Sequence, residues 1–140
     1  MIDLGGKYNN NVGKIYNKIK FLSSYKFSIA MENSEGDGYL SEKILDSFQS
    51  GTIPIYYGDY MVDEYINPKA YILIRGKNDM KKKIEYIKEI DNNDELYKKI
   101  LKEKLLINNY NKKEIDNKYN DFFYNIFKQN KNMAKRVDKI

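Results

Sequence analysis

Asn33, Tyr39, Ser41, Glu42 and Lys43 crowd into eleven positions of this 140-residue chain, between a run that reads as a strand and a run that reads as a helix. Each brings a different contact. Lys43 falls in the first turn of the expected helix, where the unpaired backbone amides already concentrate positive charge. A cation there is unfavourable for the helix itself, so a bound anion such as a phosphate would explain it. Glu42 offers a two-oxygen acceptor suited to a pair of sugar hydroxyls. Asn33 and Tyr39 offer neutral hydrogen bonds from the loop. Ser41 is placed to cap the helix. The spacing fits a plain strand–loop–helix connection too, with Ser41 as an ordinary N-cap and Lys43 in solvent, and on spacing alone that plain connection is preferred.

The elements that must position these residues follow from periodicity. Residues 25–31 (YKFSIAM) form a β-rich apolar run and residues 32–38 (ENSEGDG) a polar, glycine-containing loop. Ile44, Leu45 and Phe48 mark one face of a helix over 41–49, with Gly51 where a helix-ending glycine is common. Residues 52–57 (TIPIYY) predict a second strand closed by Gly58, placed short or at an edge because Pro54 lacks an N–H. A helical turn over 63–67 and a third strand over 70–74 follow. Ahead of all these, residues 1–13 read as a Gly/Asn-rich loop and 14–22 as a short helix. Apolar spacing predicts three further helices: Met80 to Ile90, Leu96 to Leu106, and one around Phe122 to Phe127. Alternating strands and helices predict an α/β fold with a Rossmann-like parallel sheet and right-handed crossovers. In such sheets ligands bind beyond the carboxyl ends of the strands, which is where the loop at 32–38 sits. The chain reads as one domain, with a core over about 1–90 and a helical extension over about 91–140.

Composition removes several chemistries. The chain has no cysteine and no histidine, which excludes disulfides, thiol nucleophiles, imidazole bases and the usual zinc ligands, and no metal site is expected. The formal net charge is +5, almost all from lysine, and the arginines are Arg75 and Arg136 alone. Arginine is the better bidentate reader of bases and phosphates, so nucleic acid is not the expected partner. No apolar run is long enough to cross a membrane and the first residues do not read as a signal peptide, so a cytoplasmic protein is expected.

The wording of residues 25–58 gives the stretch its specificity. Tyr25-Lys26-Phe27, Glu32-Asn33-Ser34, Gly38-Tyr39, Ser41-Glu42-Lys43, Thr52-Ile53-Pro54-Ile55-Tyr56 and Gly58 follow one another as in the signature of the α-1,3-fucosyltransferase family, which the chain resembles. Asn67-Pro68-Lys69-Ala70-Tyr71-Ile72 resembles the segment that follows, and the opening Asp3-Leu4-Gly5-Gly6-Lys7-Tyr8 with Asn10-Asn11-Val12-Gly13 resembles the loop ahead of it. The resemblance covers roughly residues 1–75. It implies half of a GT-B glycosyltransferase, namely the C-terminal domain that holds GDP-fucose. By position it implies that Asn33, Tyr39 and Lys43 contact the diphosphate or the sugar and that Glu42 holds ribose hydroxyls. Glu32 would position the loop or reach the fucose. The implied reaction is inverting fucosyl transfer to an acceptor glycan hydroxyl. Lys43 and the helix amides would stabilise the departing GDP, with no bound metal and no cofactor beyond the donor substrate. The family's upstream diphosphate-binding arginine, its acceptor domain and its general base have no counterpart here. The chain therefore reads as a fragment, a split product or a degenerate remnant.

Two other features have plainer readings. Asp63-Glu64 could be proposed as an acid/base or metal pair, but adjacent carboxylates on a turn point different ways and ordinarily face water. Lysines and tyrosines interleave over 112–124, and an amphipathic helix with tyrosines at its rim accounts for them. Peripheral membrane contact by this basic tail is a further reading. Against the donor-binding transferase stand two alternatives, a nonenzymatic nucleotide-binding remnant and a basic helical protein that binds nucleic acid or membrane.

Overall fold

The computed structural model describes residues 2–5, 9–34, 36–107 and 111–128. The chain divides into two compact units, Met1–Ile107 and Asn108–Ile140. The first contains a three-stranded parallel sheet in the order β1 (Phe27–Met31), β2 (Ile53–Tyr57), β3 (Ile72–Leu73). Around it run α1 (Lys18–Leu22), α2 (Glu42–Gln49), the 3-10 turn Val62–Glu64, α3 (Lys77–Asn92) and α4 (Asp94–Leu101). The described part of the second unit is α5 (Lys112–Lys128) with Asn111 before it. The α/β class and the parallel sheet are those expected from the sequence.

Period-2 alternation sorts the strands onto two faces. Ala30 and Tyr56 pack with Ile44 of α2 and with Val62, Ile66 and Tyr71. On the opposite face Ile53 and Ile72 pack against Ile90 of α3 and Ile100 of α4. Helices on both faces are what a parallel sheet requires, because neither side is built for water. Helix α4, which the sequence places in the extension, thus packs into the first unit through Ile100. Ile29 and Met31 of β1 are about half exposed on this second face.

Pro54 lies in the central strand, not at an edge. Successive backbone amides of a strand point to opposite neighbours. Ile53 N–H donates to Lys26 O on the β1 side at 3.0 Å, so the amide position of Pro54 faces the other way. Pairing with β3 starts only at Ile55, so the missing donor removes no ladder bond. The third strand is correspondingly two residues long rather than five.

Helix α2 packs Ile44 and Phe48 against the core, as its apolar spacing predicts, but leaves Leu45 outside. Ile44 and Ser47 are buried, whereas Leu45 is 45% exposed. Ser47 is accommodated by a polar cluster under the helix end: Ser47 O accepts from Ser50 Oγ at 2.8 Å and from Thr52 Oγ1 at 3.0 Å, and Thr52 Oγ1 lies 2.6 Å from Ser28 Oγ. These buried hydroxyls all have partners, so burying them carries little cost. Gly51 follows with φ 74°, and its N–H reaches Phe48 O at 3.0 Å, the left-handed helix stop expected of it. Helix α1 is shorter than predicted because Asn17 caps it, accepting from Lys20 N–H at 2.9 Å.

Candidate functional site

The strands β1, β2 and β3 are parallel, so their carboxyl ends, at Met31, Tyr57 and Leu73, share one edge of the sheet. Glu32 is the first residue past β1 and its backbone N–H still donates to Tyr57 O at 2.8 Å. Its side chain is fully buried. Oε1 accepts from Ser41 N–H at 2.9 Å, and Oε2 accepts from Ser41 Oγ–H at 2.6 Å and Lys43 Nζ at 3.0 Å. Burial alone would push the Glu32 carboxyl up; the donors of Ser41 and Lys43 together outweigh it and hold the group below the usual carboxylate range.

Lys43 Nζ also donates to Asn33 Oδ1 at 3.3 Å, which ties the loop to the start of α2. The ammonium is neither free in solvent nor an isolated cation: it is compensated by Glu32, and of its three N–H donors two have acceptors among the described residues. Ser41 has two duties. Its Oγ caps α2 by accepting from Lys43 N–H at 3.4 Å, and the same hydroxyl donates to Glu32. The plain N-cap is therefore present, with an ion pair built on it. Glu42, Asn33 and Tyr39 are exposed along the same stretch.

Gly58, read in the sequence as the close of the second strand, and Asp59, which sequence reasoning passed over, complete the edge. Gly58 lies where any side chain would collide: an added Cβ would stand 2.4 Å from Glu32 Cγ and 2.9 Å from Tyr56 Oη. Asp59 is 0% exposed; its Oδ1 accepts from Gly38 N–H and from Met61 N–H, each at 2.9 Å. Asp59 N–H donates to Tyr56 Oη at 3.1 Å. Burial, first, and the charges of Glu32 and Asp59 push the Tyr56 hydroxyl up, so it stays neutral. A signal for both residues was available, since Gly58-Asp59 directly follows a strand at the ligand-binding end of the sheet.

The carboxylates Asp63 and Glu64 do not form a catalytic pair. Asp63 accepts from the Tyr71 hydroxyl and from Arg75 Nη2 at 3.4 Å. Arg75 further donates to Asp59 O at 3.3 Å and Tyr60 O at 3.0 Å, so it fastens the chain after β2 to the end of β3. Burial and the adjacent Asp63 push the Tyr71 hydroxyl far up. Among the described residues no cluster of three or more acidic side chains could hold a metal ion. A separate groove of about 570 Å³, lined by Asp63, Tyr71, Lys83, Tyr86 and Lys99 among others, shares none of the loop residues.

Residues 1–137 match the model of "Glycosyltransferase family 10 (fucosyltransferase) C-term". The chain belongs to this family. It is 39% identical over 100 residues to the α-(1,3)-fucosyltransferase FucT of Helicobacter pylori, an alignment covering 71% of this chain and 21% of that protein. The fold superposes on the crystal structure of an α1,3-fucosyltransferase with GDP at a TM-score of 0.83 and 32% identity, covering 92% of this chain and 40% of the other. A second, with GDP-fucose, gives a TM-score of 0.77 at 32% identity, covering 96% of this chain and 41% of that one. The α/β half-structure expected from the sequence is thus that of solved α1,3-fucosyltransferases, and the chain spans about a fifth of the length of the curated relative.

Proposed function

We propose that this family 10 domain binds GDP-fucose at the carboxyl edge of its sheet and serves as the donor half of an inverting fucosyltransferase. The observation that carries the reading is the Glu32–Ser41–Lys43 cluster at the start of α2, in a chain whose fold matches a GDP-bound fucosyltransferase. The amides of the first turn and the Lys43 ammonium supply donors for a diphosphate. As the bond from fucose to GDP breaks, charge develops on the phosphate, and donors already fixed in place lower that barrier. Glu32 holds the Lys43 ammonium in place through the 3.0 Å ion pair, and it is spent in doing so, which leaves it a positioning residue and not a base. Asn33 and Tyr39 contact the phosphates or the sugar from the loop, and Glu42, exposed in the first turn, holds ribose hydroxyls. No metal and no separate cofactor take part in this scheme. The acceptor glycan and the general base belong to a further domain.

Incubation of the chain with GDP-fucose and N-acetyllactosamine-type acceptors tests this division of labour. The donor should bind, with no fucosylated product; product formed by the chain alone and abolished by Lys43→Met would show that one domain suffices.

The tail supports a second property, peripheral membrane contact. On α5, Phe122, Phe123, Tyr124 and Phe127 are 51–81% exposed beside Lys112, Lys113, Lys118 and Lys128. Sedimentation with anionic vesicles but not with zwitterionic ones is expected, and loss of residues 111–140 should abolish it. Equal sedimentation with and without the tail contradicts it.

A further inference from the structure

Helix starts and loops of this kind are commonly held by one cap. Here the segment leading into α2 is held at two amides by two buried carboxylates from different strand ends. Ser41 N–H goes to Glu32 Oε1 at 2.9 Å, and Gly38 N–H goes to Asp59 Oδ1 at 2.9 Å, across 21 residues of sequence. Tyr39 and Leu40 are the two residues between the pinned amides.

Asp59 is not explained by its own turn. The bond from Met61 N–H, two residues on, is a local turn that a serine or asparagine makes equally well. Burying a carboxylate is costly, and Asp59 Oδ2 has no hydrogen-bond partner, so half of its acceptor capacity goes unused. A charged acceptor does, however, bind backbone amides more strongly than a neutral one. The residue is itself braced: Tyr56 Oη takes its N–H, and Arg75 takes its carbonyl oxygen. Gly38, the residue it grips, has φ 77°, a left-handed conformation that glycine adopts without strain.

We infer that Asp59 is a positioning residue for the donor site: its Oδ1 clamps the Gly38 amide and so sets Tyr39 and the start of α2 in the arrangement that receives the nucleotide sugar. This rests on the donor-binding reading above. Asp59 touches no donor group; it acts through the loop. A loop released at Gly38 must be ordered again on binding, and that loss shows as weaker affinity with the fold intact.

Asp59→Ser and Asp59→Asn separate the clamp from the turn. Serine keeps the short bond to Met61 N–H and cannot reach Gly38; asparagine keeps an oxygen at the Oδ1 position for both. Amide hydrogen exchange and GDP titration calorimetry on the intact chain are the readouts. In D59S, exchange at Gly38 should accelerate and GDP affinity fall by about tenfold while Met61 stays protected, and D59N, which keeps the oxygen and loses the charge, should fall between D59S and wild type in both. Wild-type GDP affinity in D59S, or equal losses in D59S and D59N, overturns the inference. If wild type itself binds no GDP, the donor-binding reading fails, and exchange still decides the clamp: Gly38 deprotected in D59S and less so in D59N supports it, and unchanged Gly38 overturns it. Should D59S not fold, Asp59→Thr replaces it with the same short acceptor and a space-filling methyl. If neither folds while D59N does, Asp59 is a folding residue and the positioning role is overturned.

Discussion

Glu32 and Lys43 are eleven residues apart in sequence and 3.0 Å apart in space, and most of the site's local physics lies in that pair. Glu32 is buried, yet its carboxyl is held below the ordinary range, because the donors of Ser41 and Lys43 outweigh the cost of burial. A carboxyl lowered on folding stabilises the fold above its unfolded pKa, about 4.3, and that stabilisation is lost as pH falls through the lowered value. Glu32→Gln should therefore lower stability by about 1–3 kcal/mol near neutral pH, with the gap to wild type closing below about pH 4. Thermal melts of both chains from pH 3 to 7 read this; a gap that stays constant over the range contradicts it. Lys43, Ser41 and Glu32 were all legible in the sequence as candidate site residues, Glu32 only through its family wording. That they bind one another was not, because the contact joins a strand end to a helix start and no spacing rule covers such a pair.

At the scale of elements, what was visible was whatever a local period or a cap dictates. Strands β1 and β2, helix α2 with Ser41 at its start and Gly51 at its end, and the helices after Gly76 all follow from such patterns. What was hidden depended on neighbours. Pro54 looked unfit for a central strand until β3 proved too short to need its N–H. Leu45 looked like core, but α2 buries the side carrying Ile44, Ser47 and Phe48 and leaves Leu45 outside it. Gly58 is the joint between these elements. Adding a methyl there would strike Glu32 Cγ at 2.4 Å and Glu32 Cβ at 2.8 Å. Gly58→Ala should thus cost about 1–3 kcal/mol, the range for forcing extra volume into a packed site, and should also shift the Glu32 carboxylate. Urea unfolding reads the first effect. A stability gap to wild type that narrows below about pH 4, from a Glu32 no longer paired, reads the second. A Gly58→Ala chain with wild-type stability would show that the Glu32 side chain has room to move.

For the whole molecule, family membership and fold rest on the match over residues 1–137 and on superposition with α1,3-fucosyltransferase structures. The donor-site reading rests on the sheet edge, where three strand ends bring together a capped helix, a compensated lysine and two buried carboxylates. Asn33 and Tyr39 were legible as polar loop residues of that edge; Asp59 was legible only by its place after a strand, and its clamp on Gly38, like the contacts of Arg75, was not, since these partners lie far along the chain. The most direct measurement is calorimetric titration of GDP into the wild-type chain and into Lys43→Met. Charge-assisted contacts to phosphate contribute about 1.5–3 kcal/mol, so Lys43→Met should bind at least about tenfold more weakly, with unchanged circular dichroism. No GDP binding by wild type, or equal affinity of the two chains, would contradict the account.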